Sequence, residues 1–269
     1  MRRLIYVIFI LTFLITAFLI SGCEQQAVTL HKQDSYQFEN SKIDLNKKVR
    51  SLDVTVDSGK LQIYCWDKPY ISCELKQTVR DNKTKEELEK LLDKFSVETK
   101  IKDNTCYISA NYNKRIDNPD DILSEIKLTI PRRINVIKLE QDQGSFIVED
   151  KFEGSITANI RKGNTELKAL YGNVNLNCTR GNFRLGSGKL TGSNIKIESG
   201  NISLKAQCQN KSDYIFETET GNIELYFPVQ SDICIDAFGT VSHNQFAGVD
   251  GNTTIKASTK IGKISVNGY

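Results

Sequence analysis

From Leu139 onward the chain alternates apolar side chains with Asn, Lys, Glu, Ser and Arg, and a glycine stands wherever the alternation breaks. Seven of these glycines, Gly144, Gly163, Gly181, Gly200, Gly221, Gly239 and Gly262, are separated by 19, 18, 19, 21, 18 and 23 residues. Aligned on them, the chain shows columns. Two residues after each glycine stand Phe146, Thr165, Phe183, Ile202, Ile223, Val241 and Ile264. Four after stand Val148, Leu167, Leu185, Leu204, Leu225, His243 and Val266; five before stand Leu139, Ala158, Leu176, Ile195, Phe216, Cys234 and Ala257. Each unit reads as a period-two strand, a glycine turn and a second strand, with one apolar face and one wet face.

Such a unit cannot bury its apolar face alone, and stacking units ~4.8 Å apart closes a continuous core. The pattern therefore predicts an all-β protein, a parallel β-solenoid (β-helix-like) of about seven to eight rungs. A β-sandwich is the alternative, since regular short strands with turn signals fit it too. The same offsets around Gly59 give Val54, Val56, Leu61 and Ile63, an additional opening rung. Between it and Gly144 lies an excursion. Leu61–Trp66 and Tyr70–Val79 flank Asp67-Lys68-Pro69 and read as a hairpin. Thr84 and Glu87 form a capping box ahead of Leu88, Leu91, Leu92 and Phe95, one apolar stripe on a short helix that would cover an open end of the stack. Strands near residues 96–102, 105–112 and 124–130 complete the segment before Pro131.

The opening Val54-Thr55-Val56-Asp57-Ser58-Gly59-Lys60-Leu61-Gln62-Ile63, the Leu128-Thr129-Ile130-Pro131 step and the glycine-led strands as far as Gly262-Lys263-Ile264-Ser265-Val266 resemble the DUF4097-type β-strand repeat family of bacterial envelopes, the "putative adhesin" proteins. The resemblance covers residues 48–269. It implies a solenoid-like fold, an envelope location and no catalytic residues, and it carries no functional residue across.

The N-terminus follows different rules. Met1-Arg2-Arg3 precedes an apolar run from Leu4 to Ile20, and Leu19-Ile20-Ser21-Gly22-Cys23 resembles the lipobox of bacterial lipoproteins. That places a lipoprotein signal peptide over residues 1–22, a lipidated Cys23 opening a polar tether over 23–47, a first rung with its capping excursion over 48–137, and the repeats over 138–269. The membrane becomes a partner through the lipid, and the protein sits on the outer face of the cytoplasmic membrane. Charge then changes meaning. Removing Arg2 and Arg3 from 36 basic residues leaves 34 against 33 acidic, so the formal +3 belongs to the export signal and no nucleic-acid partner is expected.

Candidate chemistry is sparse. Glu198 and Glu219 stand two residues before rung glycines, stacked on neighbouring coils, and mark a candidate cation or ligand site or the carboxyl pair of a glycosidase. Arg161 and Lys260 share their column, which equally describes a solvated ionic face. Asp236 falls in the inward column of Ile160, Cys178, Ile197, Thr218 and Thr259, with His243 inward nearby; either the Thr218 and Thr259 hydroxyls satisfy its carboxylate or, as the 23-residue spacing favours, the last units are irregular. Asn164, Asn182, Asn201 and Asn222 hold one column over four rungs, a candidate structural ladder of stacked amides. The six cysteines besides Cys23 show no metal-ligand spacing; Cys65 and Cys73 are placed to bridge the Pro69 hairpin, with Cys106 as another partner, while Cys178, Cys208 and Cys234 read as small core residues. No metal or cofactor is expected. The reading is a non-catalytic binding, adhesion or envelope-structural module for an envelope protein or glycan; the alternative is a carbohydrate-active enzyme with its cleft over Glu198 and Glu219.

Overall fold

The computed structural model describes residues 33–37, 41–80, 95–112 and 122–269, all strand, turn or irregular backbone with no helix among them. β1 (Gln33–Gln37), β2 (Ser41–Asp44), β3 (Ser51–Ser58), β4 (Lys60–Trp66) and β5 (Tyr70–Arg80) come first. β6 (Phe95–Lys102), β7 (Thr105–Tyr112), β8 (Ile122–Pro131) and β9 (Val136–Gln143) follow. β10 (Phe146–Lys162), β11 (Thr165–Arg180) and β12 (Phe183–Ser199) are long and bent. β13 (Ile202–Lys205), β14 (Gln207–Cys208), β15 (Tyr214–Thr220), β16 (Ile223–Phe227), β17 (Ile233–Asn244) and β18 (Thr253–Gly268) close the chain. Residues 33–269 form one compact unit.

Successive segments pair in parallel with matched columns. On one flank β7, β3, β9, the second halves of β10, β11 and β12, then β15, β18 and β17 lie side by side. On the next flank the order is β8, β4, the first halves of β10, β11 and β12, then β13, β16 and β18. A short third side pairs Lys151 with Ala169, Ala169 with Ser187, and Lys189 with Gln207. Antiparallel strands cover the first tier, β6 against β7 and β5 against β8.

The columns read from the sequence are buried except in the Gly239 unit, where Val241 and His243 are exposed and Cys234 is half-buried. Leu61, Phe146, Thr165, Phe183, Ile202, Ile223 and Ile264 align in register at no more than 2% exposure, and Leu139, Ala158, Leu176, Ile195, Phe216 and Ala257 line the adjoining flank. Fully burying each large apolar side chain contributes about 1.5–3 kcal/mol. Phe152, Leu170 and Leu190 fill the third side. The corner requires glycine because the tiers touch there through backbone. A Cβ built on Gly181, whose φ is 152°, would stand 1.8 Å from the Gly163 carbonyl oxygen, and the same approach recurs from Gly59 and Gly144 through Gly221 and Gly262.

Four expectations change. The glycine spacing places the Gly239 unit between those of Gly221 and Gly262, yet Thr220 pairs with Ile261 and Ile223 with Ile264, so β18 lies directly on β15 and β16 with β17 outside it. Column matching measures likeness, not adjacency, and residues 245–252 give the chain room to double back. The start shows the same device: β7 and β8 form the tier outside β3 and β4, although they follow them in sequence. Second, the expected hairpin at Pro69 is absent. Tyr64 of β4 and Ser72 of β5 both oppose Thr129, so β8 separates the two strands. Third, Gln33–Gln37 and Ser41–Asp44, read as tether, pair antiparallel with β5. In β2 only Ile43 is buried, too few inward positions for a periodic signal. Fourth, the helix expected over 84–95 lies outside the described residues except for Phe95, which opens β6. The proposed signal peptide and Cys23 also lie outside them.

Candidate functional site

The outward face of the β3–β9–β10–β11–β12–β15–β18 flank bounds a groove of about 930 Å³. Period two in the strands and the parallel register together make its surface, because every second residue of each tier falls into one of two columns. The first runs Thr55, Glu140, Asn159, Asn177, Lys196, Glu217 and Ser258, and ends at Phe238, which is 77% exposed. The second runs Asp57, Asp142, Arg161, Thr179, Glu198, Glu219 and Lys260.

Hydrogen bonds climb the first column. Asn177 Nδ2 donates to Asn159 Oδ1 at 3.0 Å, Asn159 Nδ2 donates to Glu140 Oε1 at 2.6 Å, and Lys196 pairs with Glu217 at 3.1 Å. In the second, Arg161 chelates the Asp142 carboxylate through Nε and Nη2, and Lys260 Nζ meets Glu219 Oε1 at 2.5 Å. The Arg161 hydrogen bond holds the Asp142 carboxyl below its usual range, and its charge adds to the effect. These pairs are solvent-exposed and screened, so they contribute little to the stability of the fold. Their larger consequence is a fixed array of donors and acceptors.

Glu198 and Glu219 lie on neighbouring tiers of this face, and Lys260 occupies one side of Glu219. Both are exposed on one sheet surface. Among the described residues no three His, Cys, Asp or Glu side chains gather to hold a metal ion.

The asparagine column sits beside the glycine corner. Asn182 donates to Asn164 Oδ1 through its backbone N at 2.9 Å and Nδ2 at 3.0 Å, and Asn201 donates to Asn182 Oδ1 at the same two distances. Asn222 N donates to Asn201 Oδ1 at 2.8 Å, and Lys263 N to Asn222 Oδ1 at 2.9 Å. On the inner side Thr218 and Thr259 hydroxyls donate to the Gly200 and Gly221 carbonyls at 2.8 and 2.9 Å.

Asp236 and His243 are not inward. Both are exposed on β17, Asp236 opposite Lys256 and His243 opposite Ser265. Ala237 takes the position against Ala257, and register shifts after Phe238 and Val241 displace the column count. The carboxylate is solvated and needs no buried partner. The six described cysteines are all unbridged. Cys65 and Cys73 oppose Ile130 and Leu128 of the intervening β8, which removes the cross-hairpin geometry, and Cys106 faces Leu52. Burial pushes the Cys65 and Cys106 thiols up to about 11 and Cys208 to about 12, leaving them unreactive near neutral pH. Cys178 is a core residue as expected, whereas Cys208 and Cys234 are half-buried and Cys234 turns outward beside Thr254. The ladder through Glu140, Asn159 and Asn177 was not singled out from the sequence. Its signal was present in the outward offsets of the same alignment.

No protein-family profile and no curated protein matches the chain. Solved structures do. A "putative adhesin" from Bacteroides fragilis is 16% identical, matched over 87% of this chain and 97% of its own, with a TM-score of 0.43. A "putative adhesin" from Parabacteroides distasonis is 13% identical over 89% and 98%, at 0.40. A "putative cell adhesion protein" from Clostridium sporogenes is 13% identical over 88% and 100%, at 0.35. Likeness at this level transfers no residue role.

Proposed function

We propose that this chain is a non-catalytic lipoprotein of the bacterial envelope. Cys23 carries the lipid on the outer face of the cytoplasmic membrane, and the parallel tiers form a β-solenoid that presents the groove to an extended, hydrogen-bonding polymer, a cell-wall glycan above all. The observation that carries this reading is the pair of outward columns, in which Glu140, Asn159 and Asn177 repeat donors and acceptors at the tier spacing while Arg161, Lys196 and Lys260 pair with Asp142, Glu217 and Glu219. A polymer aligned with the stack meets a polar side chain at every tier. The asparagine column at the corner is structural: its amides are spent on neighbouring tiers.

Two experiments test it. Residues 24–269 should co-sediment with purified wall polysaccharide, and Asn159→Ala with Asn177→Ala should weaken retention about tenfold; unchanged retention contradicts the groove as the site. Radiolabelled palmitate should enter the wild-type chain in cells and not a Cys23→Ala variant; equal labelling of both, or of neither, contradicts the anchor.

A further inference from the structure

Away from the groove, three loops converge at one end of the first tiers. Arg133 Nη2 donates to the Pro69 carbonyl at 3.0 Å and towards the Asn46 carbonyl at 3.4 Å, Arg132 N donates to Trp66 O, and Asn135 N donates to Arg50 O. Arg50 Nη1 in turn holds the Lys47 carbonyl at 2.7 Å. Segments distant in sequence thus bring Lys47, Lys48, Arg50, Lys68, Arg132 and Arg133 onto one surface. The acids there are engaged: Asp44 pairs with Lys42 at 2.7 Å, Asp67 with Arg132 at 3.4 Å and Glu153 with Lys151 at 2.6 Å, and Asp150 accepts from Cys65 N at 2.8 Å. Two half-buried aromatic rings lie among the cations. Trp66 and Tyr70 meet edge to face at 4.8 Å, Lys68 Nζ stands 4.7 Å from the Trp66 ring centre, and Lys42 Nζ stands 4.8 Å from that of Tyr70.

This charge is local. The chain from Cys23 onward is almost neutral, and the groove face carries more carboxylates than cations, so the molecule is polarised between an acidic binding face and a basic, aromatic corner. Clustered Lys and Arg are drawn to the negative potential of anionic lipids, and Trp and Tyr favour the interface between headgroups and acyl chains. A soluble polyanion would use the cations and have no need of the rings.

We propose that the corner built by the Lys47–Arg50, Trp66–Tyr70 and Arg132–Arg133 loops is a docking surface for an anionic phospholipid membrane. The surface does not depend on acylation. If Cys23 is anchored, the geometry is compatible: β1 and β2 run along β5 from Arg80 to Tyr70, a strand of ~35 Å, and the ten residues from Cys23 to Gln33 reach a similar length when extended. The corner can then touch the bilayer that holds the anchor, and contact at a second point restricts the orientation of the domain.

Trp66 is the only tryptophan, so its fluorescence reports on the corner directly. The described core lies wholly within residues 43–266, so the unacylated chain 24–269 is a suitable folded probe. Titrated with vesicles of phosphatidylglycerol and phosphatidylcholine (three to seven), it should bind with a blue shift of Trp66 emission, at least about tenfold more tightly than to pure phosphatidylcholine, and release in high salt. Charge reversal by Lys47→Glu, Lys48→Glu and Lys68→Glu should abolish the difference, while Lys189→Glu, Lys256→Glu and Lys263→Glu, an equal change in net charge elsewhere, should preserve it. Circular dichroism of each variant confirms folding. Equal binding to both vesicle types, equal loss in the two charge-reversed variants, or capture by soluble polyphosphate without vesicle binding would overturn the proposal. None of these outcomes bears on palmitate labelling of Cys23, so this proposal and the anchor fail separately.

Discussion

At the residue scale, the corner glycines and the side chains beside them carry most of the specificity. Gly181→Ala places a methyl group against the Gly163 carbonyl at a φ of 152°, and the tiers cannot part without losing their ladder. We expect a loss of about 2–4 kcal/mol in urea unfolding. Asn201→Ala removes the acceptor for Asn222 N and the amide donated to Asn182, a cost of about 1–2 kcal/mol that the same measurement reads. Among the ionisable groups, Glu149 has a defined pH signature. A hydrogen bond from Lys168, with a second from Gln62, holds its carboxyl below the usual range. A carboxyl lowered on folding contributes stability that is present above its unfolded pKa and disappears as pH falls through the folded value. The Glu149→Gln variant should therefore match the wild type more closely at pH 3 than at pH 7, as followed by melting temperature; a constant difference contradicts the assignment.

At the element scale, legibility in the sequence divides cleanly. Strands in the middle of the stack were readable because two periods agree: alternation within a strand and an 18- to 21-residue return that puts Phe183 over Thr165 and Ile202 over Phe183. Pairing order at the ends was not, since an offset carries no information about which neighbour a strand chooses. The β17 columns failed for a local reason: its register shifts move Ala237 inward and leave Asp236 and His243 in solvent. The groove was half-readable. Glu198, Glu219, Arg161 and Lys260 fell into one column by spacing alone, but the bonds that make the face an array depend on side-chain reach between tiers. The reversed order has its own test. β18 is paired on both sides and β17 on one, so hydrogen exchange should be slower across Ile264–Val266 than across Thr240–Asn244. The opposite ranking would restore the order that the glycine spacing implies.

For the whole molecule, the stack separates functions that many proteins combine. Its interior is an apolar column sealed at the start by β5 and β6, its corners are backbone contacts between glycines, and its outer flank is free to vary without disturbing either. That division explains how a polar face can run over successive tiers without being drawn into the core. The central claim is that this face holds a polymer and does not cut it. The direct measurement incubates residues 24–269 with purified wall polysaccharide and quantifies bound protein and released reducing ends in the same samples. The account predicts retention on the polymer with no reducing ends above the buffer control; release of reducing ends that Glu219→Gln abolishes would contradict it.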